Sequence, residues 1–273
     1  MSQTSTNVNI IPFESKDLGA LPDLQPPGWQ DLKKTFEYYL KDPHCFPFKY
    51  MSGKKITGIG ASIIHKDIAW LGHIIVHPEF RKKGIGQSIT QDLINFSHER
   101  YCNTLYLIAT DLGTPVYLNA GFETETEYVF IKDIALPPGI TPSEQIHPFK
   151  AKHKAGILEL DKLVSGEDRA EHLESFLQGA SVYMKDEVVE GFYLPAWGDG
   201  LILANHSTAG TELMKLRLME KDTASFPAEN IPAAAFLKEL GFKPFKTAKR
   251  MRMGVKRTWK PGKIYNRIGG NLG

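Results

Sequence analysis

The stretch Val76-His77-Pro78-Glu79-Phe80-Arg81-Lys82-Lys83-Gly84-Ile85-Gly86-Gln87 holds the densest chemistry of the chain. The apolar run LGHIIV precedes the basic residues, and an apolar stripe at Ile85, Ile89, Leu93, Ile94 and Phe96 follows them. This pattern predicts a strand end, a turn of R-x-x-G-x-G form and a helix start. Amides in the first turn of a helix have no intrahelical acceptor and lie at the positive end of its dipole, so they can donate to phosphate oxygens. Gly84 and Gly86 present no Cβ to an approaching ligand, and Arg81, Lys82 and Lys83 add local positive charge. A polyanion suits such a turn, and pyrophosphate best. A solvated basic turn that merely caps a core helix has the same composition. The G-x-G-x-x-G of a dinucleotide fold and the G-K-[ST] of a P-loop are both absent.

Positioning these residues requires a sheet behind them. Asp31 to Leu40 places Leu32, Phe36, Tyr39 and Leu40 on one helical face. The following apolar runs, split at Ser52-Gly53-Lys54-Lys55 and His65-Lys66-Asp67, predict three antiparallel strands. The helix from Ile85 to about Arg100 comes next, then a strand at Leu105 to Ala109, a short helix at Thr114 to Ala120 opened by Pro115, and a strand in GFETETEYVFIKDI. VNII near the start is a further candidate strand. LPPGITPSEQIHP then breaks all periodicity, as an interdomain linker does, which predicts domains at 1–138 and 139–273.

The second half repeats the plan. AGFETE has a counterpart in LGFKPF, KYMSGKKITGIG resembles VYMKDEVVEGFY, and a helix is predicted around Glu212 to Lys221. Their separation exceeds the solenoid repeat range, which favours duplication of a whole domain. The fold class expected is α/β of the α+β type, each domain a mixed, mostly antiparallel sheet flanked by helices.

Composition excludes the extreme classes. The 273 residues are 42% hydrophobic and 23% charged, the proportions of a folded globular chain. A formal charge of +2 gives no whole-molecule field for nucleic acid or membranes. No apolar run approaches the ~20 residues that span a bilayer, and the polar start MSQTSTNVN has no signal-peptide pattern, so the cytoplasm is the expected location. Cys45 and Cys102, like the nine scattered histidines, lack metal-ligand spacing, so no metal is expected.

HIIVHPEFRKKGIGQSI and ATDLGTPVYLNAGFE together resemble, in order and spacing, two motifs of the GNAT superfamily of acetyl-CoA-dependent N-acyltransferases. The resemblance implies that amides around Lys82, Gly84, Ile85, Gly86 and Gln87 hold the acyl-CoA pyrophosphate, beside the charges of Arg81, Lys82 and Lys83. It further implies that backbone at Ile75 and Val76 pairs with pantetheine and polarises the thioester carbonyl, and that Tyr117, four residues before Gly121-Phe122, protonates the leaving thiolate. Thr110 stands where the family often has a cofactor-contacting asparagine. Together with RMRMG and IYNRIGGNLG, these motifs look like a bacterial tandem subgroup. The second domain lacks R-x-x-G-x-G and has Leu237 in the place of Tyr117, which implies a catalytically silent half that helps form the acceptor cleft.

The activity implied is transfer of an acetyl group from acetyl-CoA, as co-substrate, to a primary amine of a small molecule. The alternative is an acyl-CoA sensor or scaffold without turnover. His73, Glu79 or water could serve as base; His73 could equally be a hydrogen-bonded sheet histidine and Glu79 a solvated turn carboxylate. Asp161, Gly166, Asp168 and Arg169 could present charge to a substrate, but capping of the EHLESFL helix by Asp168 and Arg169 is preferred. KTAKRMRMGVKRTWK fits a strand with one wet arginine face better than a nucleic-acid patch. Phe192, Tyr193 and Trp197 read as strand core ahead of a substrate pocket. Oligomeric state is not legible.

Overall fold

A computed structural model describes residues 10–273. The chain divides into two compact units, Met1–Glu123 with Arg252–Val255, and Thr124–Met251 with Lys256–Gly273.

In the first unit β1 (Ile10–Pro12) supplies part of the expected VNII strand, while Val8 and Asn9 lie outside the described residues. The proline-broken segment after it forms a 3-10 turn, Ser15–Leu24, that buries Leu21 and Leu24. Asp31 caps α1 (Leu32–Tyr39) by accepting from the Lys33 N–H at 2.9 Å. The meander is β2 (Cys45–Ser52), β3 (Lys55–His65) and β4 (Ile68–Val76), all antiparallel. Next come α2 (Ile85–Glu99), β5 (Thr104–Ala109) and α3 (Thr114–Asn119), giving the strand order β1-β2-β3-β4-β5.

The apolar stripe of α2 is buried at Ile85, Ile89, Leu93 and Ile94. It closes on β3 at two glycines. A Cβ on Gly58 would lie 2.7 Å from Ile89 Cδ1, and one on Gly60 would lie 2.9 Å from both Ile89 and Leu93 side-chain carbons. Those glycines let the helix sit against the sheet, which fixes where its N-terminus emerges.

Two features of β4 open the sheet beside that N-terminus. Ile59 faces Ile75 and Ala61 faces Gly72, so two steps of β3 span three of β4, a bulge within which His73 takes a left-handed φ of 51°. On the other edge, β4 pairs parallel with β5 at Ile68/Thr104, Ala69/Leu105 and Trp70/Tyr106, and the ladder ends there although both strands continue. The two strands part toward their C-terminal ends.

The second unit contains most of β6 (Glu123–Ile131), then β7 (Ile146–Pro148), α4 (Lys154–Ser165), α5 (Ala170–Glu174), β8 (Ser181–Lys185), β9 (Val188–Leu194) and β10 (Leu201–Ala204). It continues through α6 (Ser207–Leu218), β11 (Ala224–Pro227), α7 (Ile231–Glu239), β12 (Lys246–Gly254) and β13 (Ile264–Asn266). Its strand runs are β13-β10-β9-β8-β7 and β12-β6-β11. The division falls at Glu123/Thr124 instead of the proline-rich stretch near 138, because Tyr128 to Ile131 of β6 pair with β11. Arg252–Val255 returns to the first unit, where the Val255 N–H donates to the Asn103 carbonyl at 2.9 Å.

The two units share local hydrogen-bond features. The Phe122 N–H donates to the Tyr117 carbonyl at 3.0 Å and the Phe242 N–H to the Leu237 carbonyl at 2.9 Å, each after a glycine with positive φ. Register shifts fall between Tyr50 and Met51 in one hairpin and between Tyr183 and Met184 in the other.

Two sequence expectations are corrected here. Arg169 stands at the N-cap of α5 without a side-chain cap bond; its guanidinium is buried and donates to both oxygens of buried Asp161 at 3.0 and 2.8 Å, while Asp168 pairs with Lys162 at 3.4 Å. Neither capping nor substrate contact describes that pair. Arg250 does not line a wet strand face: it is 2% exposed, bonds Glu125 at 3.0 Å and lies 3.9 Å from the Trp259 ring centroid. Phe192, Tyr193 and Trp197 are core residues, as preferred.

Candidate acyl-CoA site

The loop between β4 and α2 is set up by backbone conformation. A short 3-10 turn, Pro78–Phe80, follows His77, whose Nδ1 accepts from the Glu79 N–H at 3.3 Å. Lys82 and Gly84 then take left-handed φ values of 60° and 80°. Alternation of right- and left-handed residues turns successive amides to one side, as in an anion-binding nest. Among the described residues no acceptor takes the backbone N–H groups of Lys82, Lys83, Gly84, Ile85, Gly86 or Gln87; the first intrahelical bond is from Ser88 N–H to the Gly84 carbonyl at 3.0 Å. A Cβ built on Gly84 meets no atom within 4 Å, and one on Gly86 meets only Val76 Cγ2 at 3.6 Å. The nest is open to a ligand.

The three basic residues are exposed, but they are not equivalent. Arg81 Nε donates to the Val76 carbonyl at 3.2 Å. Lys83 Nζ lies 5.0 Å from the Phe80 ring centroid. Arg81 therefore ties the loop to the strand edge, and among the described residues Lys82 carries its charge without a ring or strand partner.

Backbone alternation separates the two strand residues expected to meet pantetheine. The His77 N–H donates to the Thr57 carbonyl at 2.9 Å, so residues 77 and 75 turn their polar groups toward β3 and Val76 turns its own toward the open edge. Ile75 is thus committed to the ladder opposite Ile59, and of this pair only Val76 offers backbone groups there. That is a correction for Ile75, whose buried side chain has a packing role.

Tyr117 lies on α3, which packs against α2. Its ring rests on Gly113, where a Cβ would come within 2.8 Å of Cε2, and meets Phe122 edge-on at 6.2 Å. Among the described residues no protein group bonds its hydroxyl, and desolvation pushes that hydroxyl up to about 12, so it carries its proton throughout the physiological range. Thr110 holds the start of α3: its Oγ1 accepts from the Gly113 N–H at 3.3 Å and its carbonyl from the Thr114 N–H at 2.9 Å.

The candidate bases differ in environment. Glu79 is exposed and bonded to Lys55 at 2.5 Å, and that ammonium holds it below the usual carboxylate range. His73 is partly buried; its Nδ1 lies 2.8 Å from the Tyr39 hydroxyl, and Trp29, Phe36 and Tyr39 meet its ring edge-on at 6.1, 6.1 and 5.5 Å. Burial drives its pKa down to about 4. The pairing of Tyr39 with His73 escaped sequence reading because the partners are 34 residues apart. The G-x-G alternation at Gly58 and Gly60 was a readable signal for the helix seat.

The His73 shift has a consequence for stability. Unfolding restores the ordinary value of 6.5, so between pH 6.5 and about 4 the unfolded chain takes up a proton that the folded chain does not. Stability from the neutral ring is present above that window and lost as pH falls through it. Thermal unfolding across this range should show a falling midpoint that flattens in His73→Gln; parallel profiles for both proteins would refute the assignment.

Among the described residues no cluster of metal-ligating side chains occurs, and no helix is long and apolar enough to cross a membrane. Residues 25–136 match the family model of the acetyltransferase (GNAT) domain. A Pyrococcus horikoshii protein provisionally named an acetyltransferase superposes with a TM-score of 0.83 at 22% identity, over 98% of this chain and 96% of that one. The tandem GNAT protein of the clavulanic acid biosynthesis pathway gives 0.62 at 15% identity, over 92% and 99%. A GCN5-related N-acetyltransferase from Sphaerobacter thermophilus gives 0.61 at 12%, over 94% and 98%. No curated protein gives a significant sequence match. At these identities the structural likeness is one of fold: residues 25–136 are similar to the GNAT acetyltransferase domain, and the chain as a whole shares the fold of solved proteins that include a tandem GNAT protein.

Proposed function

We propose that the first unit is an acetyl-CoA-dependent N-acetyltransferase acting on a primary amine of a small molecule, and that the second unit is catalytically silent. The observation that carries this reading is the run of unpartnered amides from Lys82 to Gln87 around an open Gly84. A pyrophosphate supplies acceptors for those donors and charge for Lys82, and no uncharged ligand uses both.

Acetyl-CoA brings the activated acyl group as a thioester; the chain must position it, accept a proton from the amine and return one to the departing sulfur. The parted edges of β4 and β5 offer a slot for an extended pantetheine arm beside the Val76 backbone. The Val76 N–H on that edge is the donor suited to the thioester oxygen, where fixed dipoles act most strongly. Tyr117 holds its proton at every working pH and has no competing protein partner, as a general acid for a thiolate requires. His73 suits the base role better than Glu79, because Glu79 is exposed and tied to Lys55. With Nδ1 held by Tyr39, the other imidazole nitrogen is left for the amine.

The second unit departs from this chemistry at both places that matter. Asn205 and His206 alone connect β10 to α6, with no basic glycine turn, and Leu237 occupies the position of Tyr117. The test is release of free coenzyme A thiol from acetyl-CoA over a panel of primary amines. Release above hydrolysis with at least one amine is expected, while binding of acetyl-CoA without release for any amine would establish the sensor reading instead.

A further inference from the structure

We infer that the second unit's counterpart of the acyl-CoA slot is permanently filled by the chain's own strand β13, so that the protein binds one equivalent of acyl-CoA. The inference rests on the reading of the first unit as the acyl-CoA site, and extends it to why the duplicate cannot be one.

Within each unit a glycine of the second meander strand seats the following helix: Gly58 against Ile89 and Gly191 against Leu213, whose Cδ1 lies 2.9 Å from a Cβ built there. Three residues before each seat stands a helix glycine, Gly86 in α2 and Gly210 in α6. The two glycines are therefore equivalent positions, and what covers them differs. Above Gly86 the space is open, with Val76 Cγ2 alone at 3.6 Å from a Cβ. On Gly210 lies the ring of Tyr265, so close that a Cβ built there would clash with it.

Tyr265 belongs to β13, and the strands tell the same story. In the first unit β4 and β5 part, and among the described residues no strand lies between them. In the second, β13 pairs antiparallel with β10 at Ile202/Asn266 and Leu203/Ile264, and on its other side the Arg267 N–H donates to the Ser225 carbonyl of β11 at 2.9 Å. Asn266 stitches both walls. Its Oδ1 accepts from the Ser225 N–H at 3.0 Å, and its Nδ2 donates to the Gly200 carbonyl at 2.8 Å. Asn230, the cap of α7, donates from Nδ2 to the Ile264 carbonyl at 2.8 Å. Ile264, Tyr265 and Asn266 are 6%, 2% and 1% exposed, which marks a sealed seat and not a lid resting on a groove.

An arm of pantetheine would need the backbone edge and the helix glycine that β13 already uses. Main-chain bonding on both edges has simply been taken over by peptide, the logic of strand addition applied within one chain.

Calorimetric titration of acetyl-CoA into the full chain, with thermal unfolding of Gly210→Ala and Gly86→Ala, tests this. One equivalent is expected. Gly210→Ala should lower the unfolding midpoint by about 5 °C, as overpacking of a sealed seat does, whereas Gly86→Ala should leave it within about 1 °C because its methyl meets only an ordinary contact. Two equivalents, or a Gly210→Ala protein as stable as wild type, would overturn the inference. No binding at all, with the stability asymmetry intact, would sink the acyl-CoA reading of the first unit while upholding the filled seat in the second.

Discussion

Gly84→Glu should reduce acetyl-CoA affinity by about 100-fold or more while the protein stays folded. The residue sits at φ 80° as the N-cap of α2, and no atom lies within 4 Å of a Cβ built there. The side chain therefore has room, and the cost to folding is the left-handed backbone alone, about 1–2 kcal/mol. Its carboxylate would stand over the amides of Lys82 to Gln87 and face the ligand's pyrophosphate. Like charges brought together at an interface cost several kcal/mol, and each 1.4 kcal/mol is about tenfold in affinity. Gly84→Asn separates charge from strain, since asparagine tolerates the left-handed region without adding charge. Titration calorimetry should give Gly84→Asn a loss under about tenfold, with the gap between the two variants narrowing as salt is raised. Equal losses in both would mean that loop shape, not anion binding, is what the glycine provides, and the amide nest would lose its assignment.

The loop was legible because its information is local. Arg81 to Gln87 lie within two turns of chain, and glycine placement before an apolar helical stripe is a pattern of neighbours. The same holds for the order of helices and strands in the first half. Longer-range consequences were not readable. That Ile75 is spent on β3 and Val76 is not depends on the register opposite Ile59, which the bulge at His73 sets. The Asp161 and Arg169 pair looked like a helix start because both readings use the same residue types, and burial alone decides between them. Arg250 looked wet for the same reason: alternation with methionine predicts two faces, but cannot tell that Glu125 and Trp259 enclose the arginine one. The domain boundary followed prolines, whereas the structure follows strand pairing, which joins residues near 130 to those near 225. IYNRIGGNLG gave no sign that its first three residues would be a buried strand, because three residues carry no periodicity to read.

Tyr117→Phe should lower kcat by about 100-fold, the lower range of what a positioned general acid contributes, and leave acetyl-CoA affinity within about twofold. The split follows from what the residue touches. Its ring packs on Gly113 and meets Phe122, contacts that phenylalanine reproduces, while its hydroxyl bonds no protein group among the described residues. The unfolding midpoint should accordingly match wild type, which separates lost chemistry from lost structure. With the hydroxyl pushed up to about 12 by desolvation, its deprotonation cannot produce a falling limb in the activity profile below about pH 10. A descending limb near neutrality that disappears in Tyr117→Phe would contradict that protonation state. If kcat is unchanged and coenzyme A is still released at the wild-type rate, the departing sulfur takes its proton from water, and Tyr117 serves only to hold α3 against the loop at Gly113.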